Sequence, residues 1–468
     1  MVIILLKLFQ KYNKYREITS KIPTIYGLPL VGVVLNVLPI RSFLYKLGGY
    51  FEKLKSLTFL TWLGMEPIIV TINPDIIKHI LTSDEFLNKA NVLYKAMDHA
   101  LPNGLITSRV FKWKHNRKLM NPSFTPQILQ RFIPNFQRCS AKISQHFDCL
   151  EGEKEHSIFA FLQMRIMEIA LETIMGLDLQ NAETFSDELV TEIHTLMERI
   201  CLDTALSPMK LGFIVRTSSY YKILEYLQTF VKNIIFRKSQ SDAISDNKFF
   251  LNRALKYQQQ RLFHSSDTIT ETYTMITGSY ETTSTTLYSL IVMLAMHPQV
   301  QERLYNDVIK IIPANEEVLY EHLEQLPYLN MVISETLRLV PPIPFIGREA
   351  LENCNLTTDV NIPRDFQVLI SIFHLHRSKV LWGPNAHMFN PNNFLPEEKE
   401  KRHPYAYVPY SKGVRNCIGW RYADISLKFI LLGLLRRYQF STSFAYDDLY
   451  FVQKISLQYL NEPKIKIT

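Results

Sequence analysis

Residues 410–419 read Tyr-Ser-Lys-Gly-Val-Arg-Asn-Cys-Ile-Gly and lead directly into a segment with helical spacing of its apolar residues. Cys417 therefore lies at, or just before, the N-terminus of a predicted helix. Unpaired backbone N–H groups and the helix dipole at such a position favour a thiolate over a thiol. Gly413 and Gly419 permit a backbone path and a close approach that a Cβ atom would block. These features predict a reactive or metal-binding cysteine.

Arg415 lies two residues before this cysteine and can reach an anion on the same side of the loop. A thiolate in a glycine-shaped loop, with a cation beside it, suits a large planar metal cofactor that carries acid groups. Haem iron held by a cysteine is such a case. The sequence therefore predicts Cys417 as a metal ligand, with Gly413, Arg415 and Gly419 shaping the cofactor site.

The composition excludes several protein classes. The chain has 468 residues, 47% hydrophobic and 21% charged, so it is neither disordered nor collagen-like. No run of about 20 apolar residues occurs, which excludes a polytopic membrane protein. A formal net charge of +8 suits an acidic partner or anionic lipid, but the basic residues are scattered, and we expect no nucleic-acid binding. Five cysteines without a C-x-x-C pair argue against a disulfide framework and against structural zinc.

Helical periodicity dominates the remaining sequence and predicts a mainly α protein with a minor sheet. Predicted helices cover residues 126–148, 157–176, 183–201, 220–238, 249–263, 267–297, 298–312 and 327–339, and a last helix follows Gly419. The helix from Asp267 is the longest, and we expect it to be central and largely buried. Short alternating segments over residues 341–363 predict a small β region, and residues 391–413 predict an ordered loop.

The first 22 residues are apolar and then basic, with Lys7, Lys11 and Lys14 following the initial apolar run. This run is too short to cross a hydrocarbon core of about 30 Å, but the pattern is typical of a segment at a membrane interface. We predict a membrane-associating segment over residues 1–22 and a single domain over residues 23–468. The alternative is that the apolar residues only begin a helix of the folded domain.

The segment around Cys417 resembles the haem-binding signature of the cytochrome P450 family, F-x-x-G-x-R-x-C-x-G, with Tyr410 in place of the phenylalanine. The resemblance spans nearly the whole chain. Residues 402–407 and 415–419 are most similar to insect members of the family 4 clan. This resemblance implies the cytochrome P450 fold, one large helical domain with a small β lobe, and a haem (iron protoporphyrin IX) ligated by Cys417.

The resemblance also implies a charged network beneath the haem. Glu335 and Arg338 match the E-x-x-R motif of the family, and their spacing places both side chains on one helix face. The family adds an arginine from a P-x-R-F segment, where this chain has Asn393. We therefore expect weak haem retention, which Asn393→Arg would improve.

Further motifs match the family at the rim and on the oxygen side of the haem. Residues 278–283, Gly-Ser-Tyr-Glu-Thr-Thr, resemble its oxygen-activating segment, with Ser279 in place of a glycine. Thr282 can bond back to a preceding carbonyl, and an acid beside an alcohol can relay protons, so Glu281 and Thr282 are implied to guide protons to the activated oxygen. Many family 4 members have a glutamate aligned with Gly278 that esterifies the haem, so we expect this haem to be held non-covalently. Residues implied to bind the propionates are Trp113, Arg117, Arg348 and Arg415.

Taken together, these matches predict a haem-thiolate monooxygenase that inserts one atom of O₂ into a lipophilic small molecule. The resemblance implies electrons from NADPH through NADPH-cytochrome P450 reductase, with cytochrome b5 as a second donor, and a place on the cytosolic face of the endoplasmic reticulum membrane, the microsomal fraction. A basic surface for the reductase is predicted at Lys114, His115, Lys118, Lys412 and Arg421. Two alternatives remain open: a haem-thiolate isomerase or dehydratase that needs no external electrons, and a decayed, non-catalytic haem-binding copy.

Overall fold

A computed structural model describes residues 15–28, 30–37, 40–179, 187–240, 246–313 and 316–468. The helices, in chain order, are α1 (Arg16–Lys21), α2 (Val34–Val37), α3 (Ile40–Leu54), α4 (Pro74–Thr82), α5 (Asn91–Ala100), α6 (Val110–Met120), α7 (Pro126–Gln130), α8 (Ile133–Asp148), α9 (Phe159–Ala170), α10 (Asp187–Leu206), α11 (Ser218–Ser239), α12 (Phe250–Gln259), α13 (Ser265–Met296), α14 (Pro298–Ile311), α15 (Pro327–Leu339), α16 (Ile372–Leu375), α17 (Lys379–Trp382), α18 (Pro396–Lys401) and α19 (Trp420–Leu435). The mainly α fold predicted from the sequence is confirmed.

The strands form one larger sheet and several small ones. They are β1 (Thr24–Ile25), β2 (Thr58–Leu63), β3 (Glu66–Thr71), β4 (Glu155–His156), β5 (Phe345–Glu349), β6 (Cys354–Asn355), β7 (Asn361–Ile362), β8 (Gln367–Ser371), β9 (Phe440–Ser441), β10 (Phe451–Gln453), β11 (Leu457–Tyr459) and β12 (Ile465–Ile467). The five-stranded sheet has the order β1-β2-β3-β8-β5. Its outer pair is antiparallel and sets Arg348 of β5 opposite Val368 of β8. The β region predicted over residues 341–363 is confirmed by β5, β6 and β7.

Helix α13 is the centre of the molecule. It is 32 residues long, and at its start His264 N–H donates to Asp267 Oδ2 at 3.0 Å. Most of its side chains are buried, and it packs against α9, α11, α15 and α19. The long, buried central helix expected from the sequence is therefore confirmed.

Two predicted elements have different boundaries in the structure. The segment 126–148 is divided into α7 and α8, because Pro134, in the first turn of α8, cannot extend a preceding helix. Residues 391–413 are not all loop, since α18 forms within them. Glu397 and Glu398 in its first turn and Lys399 and Lys401 in its last turn complement the helix dipole. The first residues of the predicted helix 183–201 lie outside the described residues.

The described part of the N-terminal segment packs onto the five-stranded sheet. Tyr15, Ile18 and Ile22 are buried, and the ring of Tyr15 lies 5.9 Å from that of Trp62. Residues 15–22 thus contact the folded domain, while residues 1–14 of the predicted membrane-associating segment lie outside the described residues. Among the helices described, none is both long and apolar enough to cross a bilayer.

Candidate active site

The cysteine loop is held by its own backbone. Cys417 N–H donates to Tyr410 O at 2.9 Å, and Asn416 N–H donates to Gly413 O at 3.2 Å. Gly413 has a φ of +74°, and a Cβ atom at this position would lie 1.8 Å from Leu81 O. No other residue type satisfies both the backbone angle and the space, so the loop requires glycine here. At Gly419 a Cβ atom would meet nothing within 4 Å.

The thiol of Cys417 is exposed although dense protein surrounds the loop, whereas Cys139 and Cys354 are buried. Helix α19 begins only at Trp420, so Cys417 lies before the helix start rather than on it. Burial raises the pKa of Cys417, and a hydrogen bond from Gly419 N–H and the cations Arg117 and Lys89 act against that rise. The thiolate predicted from the helix terminus is therefore not favoured by the protein alone, and deprotonation falls to a bound metal.

Arg117 and Arg415 connect the cysteine loop to distant parts of the chain. Arg117 donates from Nη1 to Asn416 O at 2.8 Å and from Nη2 to Asn416 Oδ1 at 2.9 Å. Arg415 donates from Nη1 to Leu87 O at 2.6 Å and from Nη2 to Ser108 O at 2.7 Å. Arg117 therefore holds the residue next to Cys417, in addition to its predicted role at a propionate.

Three of the predicted propionate residues form one buried group. The guanidinium carbon of Arg415 lies 4.6 Å from the ring centroid of Trp113, which is itself buried. Arg348 is 2% exposed and donates from Nη1 to Gly347 O at 3.1 Å. Two nitrogen atoms of this group, Arg348 Nη2 and Arg415 Nε, are buried and have no hydrogen-bond acceptor among the described residues.

Two residues of this group carry no sequence motif and were missed by the sequence analysis. Lys89 Nζ lies 4.7 Å from the ring centroid of Tyr94 and donates to its hydroxyl at 3.5 Å, and Tyr94 acts against the lowering of the Arg348 pKa by burial. Burial lowers the pKa of Lys89 well below its usual range, and the cations Arg348 and Arg415 lower it further. Only the fold brings Lys89 to Arg415, which lies more than 300 positions later in the sequence.

These residues fit a haem. The nearby charges that shift the pKa values of Lys89, Arg348 and Arg415 include no carboxylate from the described part of the chain. Two unpartnered guanidinium nitrogens and a half-buried ammonium group therefore match the two propionates of a haem. The described residues also contain no cluster of three or more His, Cys, Asp or Glu that could hold a metal. A metal at Cys417 must bring most of its other ligands with it, as iron does in a porphyrin.

The middle of α13 presents an open face in an otherwise buried helix. Gly278 is exposed, and a Cβ atom there would meet nothing within 4 Å. Thr282 Oγ1 donates to Gly278 O at 2.9 Å, as predicted from the sequence, and Ser279 Oγ donates to Ile276 O at 3.0 Å. The hydroxyl oxygen of Thr282 still has lone pairs, so it can accept a hydrogen bond on the open face.

Glu281 does not share this open face with Thr282. Its side chain is 3% exposed, and Oε1 accepts a hydrogen bond from Ser456 Oγ, between β10 and β11. Burial raises the pKa of Glu281, against the effects of Ser456 and Lys454. The structure therefore separates the two residues predicted to form one proton relay.

Glu335 and Arg338 form a fully buried, doubly hydrogen-bonded pair. Arg338 Nε donates to Glu335 Oε2 and Nη2 donates to Oε1, both at 2.7 Å, and neither side chain is exposed. Nη1 of the same arginine donates to His376 O at 2.7 Å and to Ala386 O at 2.5 Å. Asn393 Nδ2 donates to Glu335 Oε1 at 3.0 Å. Asn393 thus belongs to the network as a hydrogen-bond donor to Glu335, although it adds no charge.

The predicted basic surface is open only in part. Lys114, His115 and Lys118 are exposed on α6, and Arg421 is exposed at the start of α19. Lys412 is half-buried, where it donates to Pro404 O and lies 4.9 Å from the ring centroid of Tyr405. The exposed residues leave cationic groups in the middle and last turn of α6 and at the start of α19, which follows the cysteine loop.

Comparison with known proteins gives matches along nearly the whole chain. The family model described as Cytochrome P450 matches residues 22–463. Probable cytochrome P450 313a4 of Drosophila melanogaster is 33% identical, over 97% of this chain and 95% of the relative. Probable cytochrome P450 313a2 of the same organism is also 33% identical, over 97% and 94%. Cytochrome P450 4c21 of Blattella germanica is 30% identical, over 97% and 94%.

Proposed function

We propose, from the premise that this chain belongs to the cytochrome P450 family and is a haem-thiolate monooxygenase, that it oxidises a lipophilic substrate with electrons from NADPH. The observation that carries this proposal is the open thiol of Cys417 beside buried cations with unpartnered nitrogens. The bound haem supplies the activation of O₂, of which one atom enters the substrate and the other leaves as water.

On the cysteine side, the chain's own groups fix the cofactor. Cys417 would provide the iron ligand, and Arg348 and Arg415 would donate to the propionates through the nitrogens that have no acceptor among the described residues. Trp113 supports Arg415 from below its guanidinium plane. Lys89 belongs to the same group, and propionates bound there would favour its charged form against the burial and the two arginines that lower its pKa.

On the α13 side, we assign proton handling at the open face to Thr282. Its hydroxyl donates to Gly278 O, so its oxygen is oriented as an acceptor that would hold a water molecule at the open face. Glu281 can supply protons to this place only after it leaves Ser456, because the two are hydrogen-bonded and buried. We therefore assign a larger part in proton delivery to Thr282 than to Glu281.

The redox partner is proposed to be NADPH-cytochrome P450 reductase, with cytochrome b5 as a second donor. Lys114, Lys118 and Arg421 support this proposal, because exposed cations beside the cysteine loop would attract an acidic partner and speed its encounter. Charge reversal at Lys118 should slow the reduction more at low salt than at high salt, since screening removes the long-range part of the attraction.

A location on the cytosolic face of the endoplasmic reticulum is also proposed. Leu28 and Leu35 are exposed near the N-terminal side, and Phe213 and Ile214, between α10 and α11, are 66% and 55% exposed. The two segments lie close together. Leu63 forms a β-bridge with Gly32, and a Cβ atom at the next residue, Gly64, would lie only 2.5 Å from Pro208 O. Such an apolar surface suits contact with a membrane.

One experiment tests the cofactor and the reaction together. The reduced protein is treated with carbon monoxide, and substrate turnover is then measured with and without reductase and NADPH. We expect the spectrum of a thiolate-ligated haem and product only with reductase. Turnover without reductase would instead support an isomerase or dehydratase, and loss of the thiolate spectrum in the purified protein would support a decayed copy.

A further inference from the structure

A second arginine contacts the Glu335–Arg338 network, and no motif assigns it. The guanidinium carbon of Arg402 lies 3.8 Å from the ring centroid of Trp382, and that of Arg338 lies 4.9 Å from the same centroid. Arg402 Nη1 also donates to Asn393 O at 3.0 Å. Arg402 thus contacts the network at the indole that it shares with Arg338 and at the backbone of the asparagine that bonds Glu335.

We propose that Arg402 is a positioning residue that supplies the cation missing at Asn393 and fixes the cysteine loop to helix α15. This inference rests on the proposed function, because its consequence is the geometry of a bound haem. The arginine of the family's P-x-R-F segment would come from residue 393 itself. Here the cation comes from nine residues later and reaches the network across the face of Trp382.

The local hydrogen bonds explain why a second cation has a place to act. Glu335 Oε1 accepts from Arg338 Nη2, from Asn390 N–H and from Asn393 Nδ2, so this oxygen has no room for another donor, while Oε2 accepts from Arg338 Nε. Among the hydrogen bonds of the described residues, none joins Arg402 to this carboxylate, and Arg402 acts on the network through Trp382 and the backbone of Asn393. Arg402 does so by stacking its planar guanidinium group on the indole, a contact that lysine does not reproduce.

The residues after Arg402 show how its position reaches Cys417. Tyr407 OH donates to Ser334 O at 2.9 Å, and Val408 N–H bonds His376 Nε2 at 3.0 Å. The chain then arrives at Tyr410, whose carbonyl accepts from Cys417 N–H. Arg402 is accordingly the first of a series of anchors that connect α15 and the Trp382 region to the cysteine loop.

The neighbouring residue provides a matched control. Lys401 carries the same charge, but its side chain is 69% exposed and pairs with Glu398 on the surface. Exposed pairs of this kind contribute little to stability. A difference between substitutions at residues 401 and 402 therefore reports the contact with Trp382 and Asn393 rather than a general loss of positive charge.

The test compares the thiolate-ligated fraction in the carbon monoxide spectrum, and the haem content, of the full-length protein and its variants. Arg402→Ala should lower the thiolate-ligated fraction severalfold, Arg402→Lys should lower it less, and Lys401→Ala should leave it unchanged. The double variant Asn393→Arg/Arg402→Ala should recover most of the loss, because residue 393 then supplies the cation. Asn393→Arg alone should lower haem content, contrary to the expectation from the sequence, since two arginines would compete for the same place.

The outcomes separate this inference from the proposed function. A wild-type protein without a thiolate spectrum would remove the proposed function, whatever the variants do. A wild-type-like fraction in Arg402→Ala, or no recovery in the double variant, would overturn the role of Arg402 and leave the proposed function intact. If Arg402→Ala is insoluble, Arg402→Lys and its double variant with Asn393→Arg make the same comparison, and equal fractions in these two would also overturn it.

Discussion

The cysteine loop and the middle of α13 differ in where their polar side chains bond. Arg117 and Arg415 reach carbonyl groups that lie 299 and 328 positions away in the sequence. Thr277, Thr282 and Thr286 instead donate to carbonyls of their own helix, four positions earlier. The first region is fixed by the whole fold, whereas the threonines of the second bond within their own helix and leave one face open.

This difference matches two tasks. A permanently bound cofactor needs its ligands in one fixed arrangement. Hydrogen bonds to backbone groups that lie far away in the sequence provide that arrangement. The oxygen side must admit substrates and water, and threonine hydroxyls that donate within their own helix can line an open face without bonds to other parts of the chain. Substitutions in the two regions should therefore fail in different ways.

The strongest test of the fixed region is Cys417→Ser. We expect complete loss of the thiolate carbon monoxide spectrum, because serine is a poor iron ligand and no other described cysteine lies in the loop. Cys149→Ser is the matched control, since that thiol is also exposed but lies after α8. A thiolate spectrum that survives in Cys417→Ser would remove the assignment of the site.

The open face of α13 predicts how the haem leaves. Gly278 has no side chain that could form an ester, so acidic organic solvent should extract the haem completely. Chromatography of the denatured protein, monitored at a haem wavelength, gives the answer. Haem that stays with the polypeptide would show that another carboxylate reaches the porphyrin, and the alignment of residue 278 would be wrong.

Arg338→Ala tests the buried pair beneath the site. The substitution leaves the carboxylate of Glu335 buried without its cation, and we expect the free energy of unfolding to fall by about 3–5 kcal/mol. Denaturant unfolding of the haem-loaded protein measures the change. Arg364→Ala is the control, because Arg364 and Asp365 form a pair with 72% and 70% exposed side chains, and its loss should be within about 0.5 kcal/mol. An equal loss of unfolding free energy in the two variants would mean that the buried pair stabilises the protein no more than the exposed pair does.

These two regions also show how far the sequence could be read. Cys417, Gly413 and the Glu335–Arg338 pair were predictable because the residues that define each motif lie a few positions apart within one loop or one helix. Lys89, Tyr94 and Arg402 were not, because no motif marks them and each comes to Arg348, Arg415 or Trp382 only in the folded chain. Asn393 was read as a defect, since the sequence could not show that Arg402 lies beside it.

Thr282→Ala should separate oxygen activation from electron uptake. Without the hydroxyl, water is held less firmly at the open face, and we expect NADPH consumption to continue while product per NADPH falls about tenfold. The loss is smaller than the hundredfold or more of a side chain that transfers a proton itself, because Thr282 orients rather than ionises. NADPH, hydrogen peroxide and product are measured together, and peroxide should rise as product falls. Unchanged coupling would reduce Thr282 to a structural role.

Glu281→Gln gives the smallest expected effect and decides between a relay and a structural bond. Glutamine keeps an oxygen that accepts from Ser456 Oγ, so the contact with the β10–β11 turn survives, but it cannot carry a proton. Because Glu281 is buried and turned away from Thr282, we expect product per NADPH to change by about twofold or less, well below the loss in Thr282→Ala. Ser456→Ala serves as the companion variant, since it removes the bond and keeps the carboxylate. A tenfold loss in Glu281→Gln with normal Ser456→Ala would return Glu281 to the proton relay, and the α13 side would then also depend on a contact across the fold.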